Sequence, residues 1–132
     1  MAVRGVRGAT TVESDSAEEI EEATGELLRK LIEANQIDTA EIAGAWFTAT
    51  HDLAAEFPAV AARKMGWTEV PLLCGHEMDV VDSNPRSIKR CIRVMILLNT
   101  DRPAADMKFI YLRRAAEIKA DLDRLKAGRG DE

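Results

Sequence analysis

The sequence predicts a small α/β (α+β) domain built on a mixed β-sheet of about five strands, with one long helix and further short helices. Three observations support this class. The chain starts with an alternating, β-branched segment, continues with a long amphipathic pattern of helical period, and then alternates short apolar runs with turn-forming residues. Its 132 residues suffice for one domain with its own core. We expect that domain to span residues 1–125 and a flexible C-terminal tail to span residues 126–132.

The composition limits the classes of function. The chain has 18 Lys and Arg against 23 Asp and Glu, a net charge of -5, so a nucleic-acid partner is not expected. No apolar run approaches the roughly 20 residues that cross a membrane, and the first residues lack the apolar part of a signal peptide. Two cysteines provide neither a disulfide framework nor a structural zinc site. We therefore expect a cytoplasmic protein with no membrane partner and no metal.

The first two elements carry clear sequence signals. Residues 2–11 alternate in polarity and predict a strand that contains Arg7, with Gly5 and Gly8 beside it to allow a close backbone approach. Ser16 stands three residues before Glu19, which is the capping-box spacing, so a helix should start there. Its buried face is predicted from apolar residues at helical spacing: Ile20, Ala23, Leu27, Leu28, Leu31 and Ile32.

The middle of the chain predicts a strand, a short helix and another strand. Residues 42–50 bring aromatic and β-branched side chains together and suit a second strand. Pro58 can open a short helix, and Gly66 can end it in a left-handed conformation. Residues 70–74 form a third apolar run, in which Pro71 indicates an edge position or an irregularity because proline cannot donate to a β-ladder.

Two further strands complete the predicted sheet. A turn at residues 82–85 precedes a long apolar run over residues 89–99, which predicts the fourth strand. Residues 109–112 fit either a fifth strand or the middle of a helix, and we predict the strand.

Arg93 is the most informative residue because its guanidinium is always charged and lies in an apolar run that reads as a buried strand. A charge in that position needs an anion. Arg7 is a second arginine in a strand and Glu77 follows the third strand, with Cys74 and Tyr111 as possible neighbours. These groups could form a structural ion-pair network. Alternatively, they could form a pocket for a small organic acid, because guanidinium groups bind carboxylates in planar, bidentate geometry.

The segment Arg4-Gly5-Val6-Arg7-Gly8-Ala9-Thr10-Thr11-Val12-Glu13 closely resembles the N-terminal signature of the AroH-type chorismate mutases. The similarity continues in the family's order to about residue 122. Its further motifs are Thr48-Ala49-Thr50, Asp52-Leu53, Phe57-Pro58-Ala59, Gly66-Trp67, Val70-Pro71, Cys74, Glu77-Met78-Asp79, Cys91-Ile92-Arg93-Val94-Met95, Tyr111-Leu112 and Ala115.

The resemblance implies a fold, an assembly and an activity. It implies a homotrimeric pseudo-barrel of the chorismate mutase and imine deaminase type, with active sites in the clefts between subunits. It also implies the Claisen rearrangement of chorismate to prephenate in phenylalanine and tyrosine biosynthesis, without a cofactor. A pericyclic rearrangement requires a substrate held in its reactive conformer and a stabilised ether oxygen, not a nucleophile or a base. The sequence agrees, since no serine–histidine–acid set accompanies the arginines.

The resemblance also implies roles by motif position. Arg93 resembles the cation at the ether oxygen, Arg7 the carboxylate-binding residue, and Glu77 the acceptor for the substrate hydroxyl; these three are the expected catalytic residues. Phe57, Ala59 and Arg63 would come from the neighbouring subunit. The expected substrate-binding residues are Arg7, Phe57, Ala59, Arg63, Leu72, Leu73, Cys74, Glu77, Arg93, Tyr111 and Lys119.

The chain departs from the family pattern at several positions. Val60, Leu73 and Lys119 stand where a lysine, a small polar residue and an arginine can occur, and residues 82–87 form a longer segment than usual. Two other functions remain open from the sequence: an imine-hydrolysing deaminase of similar architecture, and a module that binds a small acid without turnover. The first would leave the combination of Arg7, Glu77 and Arg93 unexplained.

Overall fold

The computed structural model describes residues 2–130 and shows a five-stranded mixed sheet with helices, as the sequence predicts. Single turns of 3-10 helix lie at Thr39–Glu41, Ala104–Asp106 and Arg113–Ala115. The strands are β1 (Val3–Thr11), β2 (Ile42–Ala49), β3 (Leu72–His76), β4 (Cys91–Asn99) and β5 (Ile110–Tyr111), and the α-helices are α1 (Ala17–Asn35), α2 (Ala59–Lys64) and α3 (Ala116–Gly130).

The strand order in the sheet is β3-β2-β4-β1-β5. The central strand β4 pairs antiparallel with both β1 and β2, while β3 and β5 add in parallel at the two edges. The main core lies on one face of this sheet, where apolar side chains of α1 pack against the strands. The opposite face carries a smaller apolar cluster, formed by Ala9, Cys91 and Ala115, against which Ile118 of α3 packs.

The N-terminus of α1 uses half of the predicted capping box. The Ser16 hydroxyl accepts a hydrogen bond from the Glu19 backbone N–H at 3.1 Å, as predicted. The Glu19 carboxylate accepts instead from the Glu13 backbone N–H at 3.3 Å and from the Ser14 hydroxyl. The Ser14 hydroxyl lowers the pKa of Glu19 because it stabilises the ionised form. Glu19 therefore ties β1 to the start of α1.

Gly8 allows α1 to pack closely against β1. A Cβ at this position would lie 2.8 Å from Leu31 Cδ1, 3.0 Å from Leu27 Cδ1 and 3.2 Å from the Ile110 carbonyl oxygen. Both leucines are fully buried, so they have little room to move.

We expect the Gly8→Ala substitution to lower the free energy of unfolding by about 1–3 kcal/mol, the usual cost of overpacking a core. Urea unfolding followed by circular dichroism measures the change. Gly128→Ala is the control, because nothing lies within 4 Å of its added Cβ. Equal stability of Gly8→Ala and the unaltered protein would contradict the close packing.

Two strands start two residues later than predicted, in both cases for backbone reasons. β3 runs over Leu72–His76 instead of residues 70–74, since Pro71 contributes only its carbonyl, which accepts from the Ala45 N–H at 3.0 Å. The predicted edge position of β3 is confirmed. β4 begins at Cys91 instead of residue 89 because Arg90 has a left-handed backbone, with φ of 48°.

The C-terminal region contains both of the structures that its pattern allowed. Residues Ile110–Tyr111 form the predicted fifth strand, and the helical spacing beyond them belongs to α3. Residues 126–130 continue α3, whereas residues 131–132 lie outside the described part of the chain, so the flexibility of the tail stays a prediction. None of the helices within residues 2–130 has the length and apolar character needed to cross a membrane.

Candidate active site

A row of side chains crosses the sheet on the face opposite α1. Residues at paired positions of neighbouring strands share a face, so the strand register identifies the members of the row. Arg93 on β4 pairs with Thr48 on β2 and with Ala9 on β1. Thr48 pairs in turn with Gly75 on β3, and Ala9 with Tyr111 on β5. The pairing therefore brings five residues from all five strands next to one another.

The alternation along β4 explains how an arginine fits into an apolar strand. Ile92, Val94 and Ile96 are buried on the α1 side. Arg93 and Met95 point to the opposite face and remain partly exposed. The apolar run suggests a strand buried on both faces, but only one face is fully covered, and the guanidinium of Arg93 lies on the other.

Arg93 and Glu77 lie in direct contact. The Arg93 Nε atom is 3.2 Å from Glu77 Oε2, and the same oxygen accepts a hydrogen bond from the Thr48 hydroxyl at 3.1 Å. The Glu77 backbone N–H donates to the Ala49 carbonyl at 2.9 Å, which extends the β2–β3 pairing by one residue. Glu77 is therefore held beside Arg93 by both its backbone and its side chain.

Two buried polar atoms in this row have no hydrogen-bond partner among the described residues: Arg93 Nε and the Tyr111 hydroxyl oxygen. The Arg93 Nε–H is not aligned with Glu77 Oε2 despite the short distance, so that contact is a charge interaction rather than a hydrogen bond. Buried polar groups are nearly always paired in folded proteins. Two such groups in one row indicate a site for a polar ligand.

Arg93 lines two cavities. It shares one of about 240 Å³ with Arg7 and with side chains of α3. It shares a second, of about 430 Å³, with Glu77. Arg7 pairs with Met95, two residues from Arg93, so both guanidinium groups extend from the same face of the sheet. The three expected catalytic residues thus meet around Arg93.

A second group of expected site residues lies around Cys74. Phe57 and Cys74 line a separate cavity of about 390 Å³, and Phe57 is 66% exposed. Burial raises the pKa of the Cys74 thiol, and this effect exceeds the opposing influence of the Ala59 backbone and the Arg63 charge. Cys74 is therefore a neutral thiol at neutral pH, not a reactive thiolate.

The remaining expected residues are dispersed. Leu72 is partly buried against the main core, and Leu73 is 61% exposed on the open face of the sheet. Lys119 is exposed on α3 and does not line the cavity that contains Arg7 and Arg93.

Several residues near the site were not singled out from the sequence. Thr48 contacts Glu77, and its place follows only from the β2–β4 register. Arg86 reaches both Arg93 cavities from the loop between β3 and β4, and the unusual length of that loop was the only signal. Glu117 and Asp121 of α3 add two carboxylates to the smaller cavity.

The two histidines of the chain meet at the border of the larger cavity. The rings of His51 and His76 are stacked, with centroids 4.2 Å apart and planes 12° from parallel. His51 Nδ1 lies 2.6 Å from Asp79 Oδ1. Within residues 2–130 no group of three or more His, Cys, Asp or Glu side chains is arranged to hold a metal ion.

Comparisons with known proteins agree with this geometry. Residues 3–122 match the family model described as chorismate mutase type I. The chain is 48% identical over 122 residues to the chorismate mutase AroH of Thermus thermophilus, which covers 92% of this chain and 97% of that protein. It is 42% identical over 127 residues to the chorismate mutase AroH of Bacillus subtilis (strain 168), with 96% and 97% covered. The solved structure of a chorismate mutase from Clostridium thermocellum has a TM-score of 0.80 and 46% identity, covering 85% of this chain and 96% of that one.

Proposed function

Because this chain belongs to the chorismate mutase type I family, we propose that it rearranges chorismate to prephenate at the row of side chains around Arg93. A chorismate mutase is an isomerase, and its product leads into aromatic amino-acid biosynthesis. The rearrangement breaks one carbon–oxygen bond and forms one carbon–carbon bond within a single molecule. It needs neither a proton transfer nor a covalent intermediate, so a site made of cations and hydrogen-bonding groups is sufficient.

The observation that carries the mechanism is the buried, unaligned Nε–H of Arg93 beside Glu77. As the ether bond lengthens, negative charge develops on its oxygen, and an Arg93 N–H can donate to that oxygen. This interaction is stronger in the transition state than in the ground state, so it accelerates the reaction. Glu77 holds the guanidinium in place and accepts from the substrate hydroxyl.

Arg7 and Tyr111 bind a substrate carboxylate in this proposal. Arg7 offers a guanidinium in the same cavity as Arg93, and the Tyr111 hydroxyl is a buried polar group without a partner among the described residues. A carboxylate satisfies both groups at once. Leu73 borders the substrate on the open face without reacting with it, whereas Leu72 and Cys74 pack against the main core from the other face of β3. Lys119 contributes a positive charge from α3.

The active site is shared between subunits of a homotrimer. The open face of the sheet exposes large apolar side chains: Val3 is 52%, Trp46 is 46% and Leu73 is 61% exposed. Large exposed apolar side chains on one face are typical of a subunit interface. Phe57, Ala59 and Arg63 of one subunit then close the Arg93 site of the next, which accounts for the distance of Phe57 from the two Arg93 cavities: it lines a separate one. The assembled enzyme works in the cytoplasm.

The trimer is testable by mass. Static light scattering should give three times the 14.6 kDa mass of the chain. We expect Trp46→Glu to shift the mass toward one chain, because it places a charge on the open apolar face. Val81→Glu is the matched control: Val81 is exposed and apolar, but it lies in the loop after β3. A monomeric, fully active protein would contradict the shared site.

The activity is tested directly with chorismate. Purified protein at micromolar concentration should consume the ultraviolet absorbance of chorismate. Acid treatment should then convert the prephenate product to phenylpyruvate. If chorismate persists and no phenylpyruvate forms, the protein is not a chorismate mutase, and non-catalytic binding of a small acid becomes the better explanation.

A further inference from the structure

Arg86 connects the two cavities around Arg93. It lies in the loop between β3 and β4, the segment that the sequence marks as longer than usual. Its side chain lines the cavity of about 240 Å³ with Arg7 and Arg93. It also lines the cavity of about 430 Å³ that contains Glu77. Among the described residues, only Arg93 and Ile88 also line both cavities, so Arg86 is the one other cation of this part of the chain that borders both.

The loop has local structure that supports Arg86. The Arg86 backbone N–H donates to Asn84 Oδ1 at 2.9 Å, which forms an Asx turn around Pro85. The Ser87 N–H donates to the Asn84 carbonyl at 2.9 Å, and the Asn84 N–H donates to the Val81 carbonyl at 2.9 Å. These successive turns restrict the backbone that presents Arg86. Its side chain forms no ion pair within residues 2–130, so its charge is available to a ligand.

The charges in the smaller cavity favour an anion. Three guanidinium groups, those of Arg7, Arg86 and Arg93, face two carboxylates, those of Glu117 and Asp121. Asp121 already pairs with Arg124 of the same helix. Arg93 is also engaged by Glu77. Arg7 and Arg86 are therefore the two cations of this cavity that form no ion pair with another described side chain.

We propose that Arg86 is an additional substrate-binding residue that acts with Arg7 on the same carboxylate. This inference rests on the proposed function, because it takes chorismate as the ligand. Two guanidinium groups can hold the two oxygens of one carboxylate and fix its plane as well as its position. The long loop supplies this second cation from within the same chain.

Steady-state kinetics with chorismate test the proposal. Arg86→Ala should raise KM about fivefold and leave kcat within about twofold, because carboxylate binding is equal in the ground and transition states and an exposed charge contributes modestly. Arg86→Lys should restore part of the loss, since lysine keeps the charge but not the fork. The Kd for prephenate, measured by calorimetry, should rise with KM.

Lys30→Ala is the control. Lys30 is an exposed cation on α1 that lines neither Arg93 cavity, so its KM should stay at the unaltered value. An unchanged KM for Arg86→Ala, or equal increases for both variants, would overturn the proposal. A fall in kcat without a rise in KM would do so too. If the unaltered protein leaves chorismate intact, the proposed function itself is wrong. That result differs from a wrong role for Arg86, in which the unaltered protein still converts chorismate.

Discussion

Arg93→Ala is expected to lower kcat for chorismate by at least about 10²–10³-fold, the scale of losing one oxyanion-type donor. The reason lies in the position of the guanidinium. It extends from the central strand, it has a buried Nε–H without an aligned partner, and Glu77 keeps it in place at 3.2 Å. Partial negative charge develops on the ether oxygen only while the bond breaks, so removal of the donor affects turnover more than binding. Initial rates of chorismate consumption measure kcat.

Arg93→Lys separates charge from geometry. Lysine retains one positive charge but has no Nε–H at the guanidinium position, so we expect kcat between that of the unaltered protein and that of Arg93→Ala. Near-ultraviolet and far-ultraviolet circular dichroism should show that both variants are folded. If Arg93→Ala retains kcat within about threefold, Arg93 has no part in the chemical step, since such a change is far below the loss of one donor.

Arg7→Ala is expected to raise KM for chorismate by at least about tenfold, with a smaller change in kcat, because a charge-assisted contact to a carboxylate is present before and during the reaction. The same variant should weaken prephenate binding by a similar factor. Arg7 shares its cavity with Arg93 and lies on the same face of the sheet. Steady-state kinetics and calorimetry provide the two measurements.

Arg4→Ala is the matched control for Arg7. Arg4 lies in the same strand as Arg7, but its side chain is on the opposite face of the sheet. Its Nε–H donates to the Arg102 carbonyl at 2.8 Å, and Arg4 does not line the Arg93 cavity. Its removal should leave KM unchanged. Equal KM values for Arg7→Ala and the unaltered protein would show that Arg7 does not bind the substrate carboxylate.

Most elements of the fold were predictable because their signals are local. Ser16 caps α1 where its spacing from Glu19 placed the helix start. Gly66 has φ of 92° at the end of α2, the conformation that the glycine allows. Pro71 marks an edge strand because a proline cannot donate in a ladder, and this prediction is confirmed. Each of these effects acts within a few residues, so the sequence alone displays it.

The boundaries that the sequence misplaced depend on longer-range contacts. β3 extends to His76 because it pairs with Ala49 of β2, and that pairing carries on through the Glu77 N–H. Residues 126–130 continue α3, whereas the flexibility of this tail stays a prediction. Apolar patterning indicates that a strand or helix exists, but it does not indicate where the paired strand in the sheet ends.

By itself, the sequence determined the α/β class, the charges available for an anion and the resemblance that named the reaction. Only the tertiary structure decided which of those groups meet. The row of Thr48, Arg93, Ala9 and Tyr111 follows from the register of four strands, and the stacking of His51 on His76 follows from the pairing of β2 with β3. A local pattern specifies which face a side chain occupies. Its partners across the sheet depend on hydrogen bonds between residues far apart in the chain, and those bonds exist only once the chain has folded.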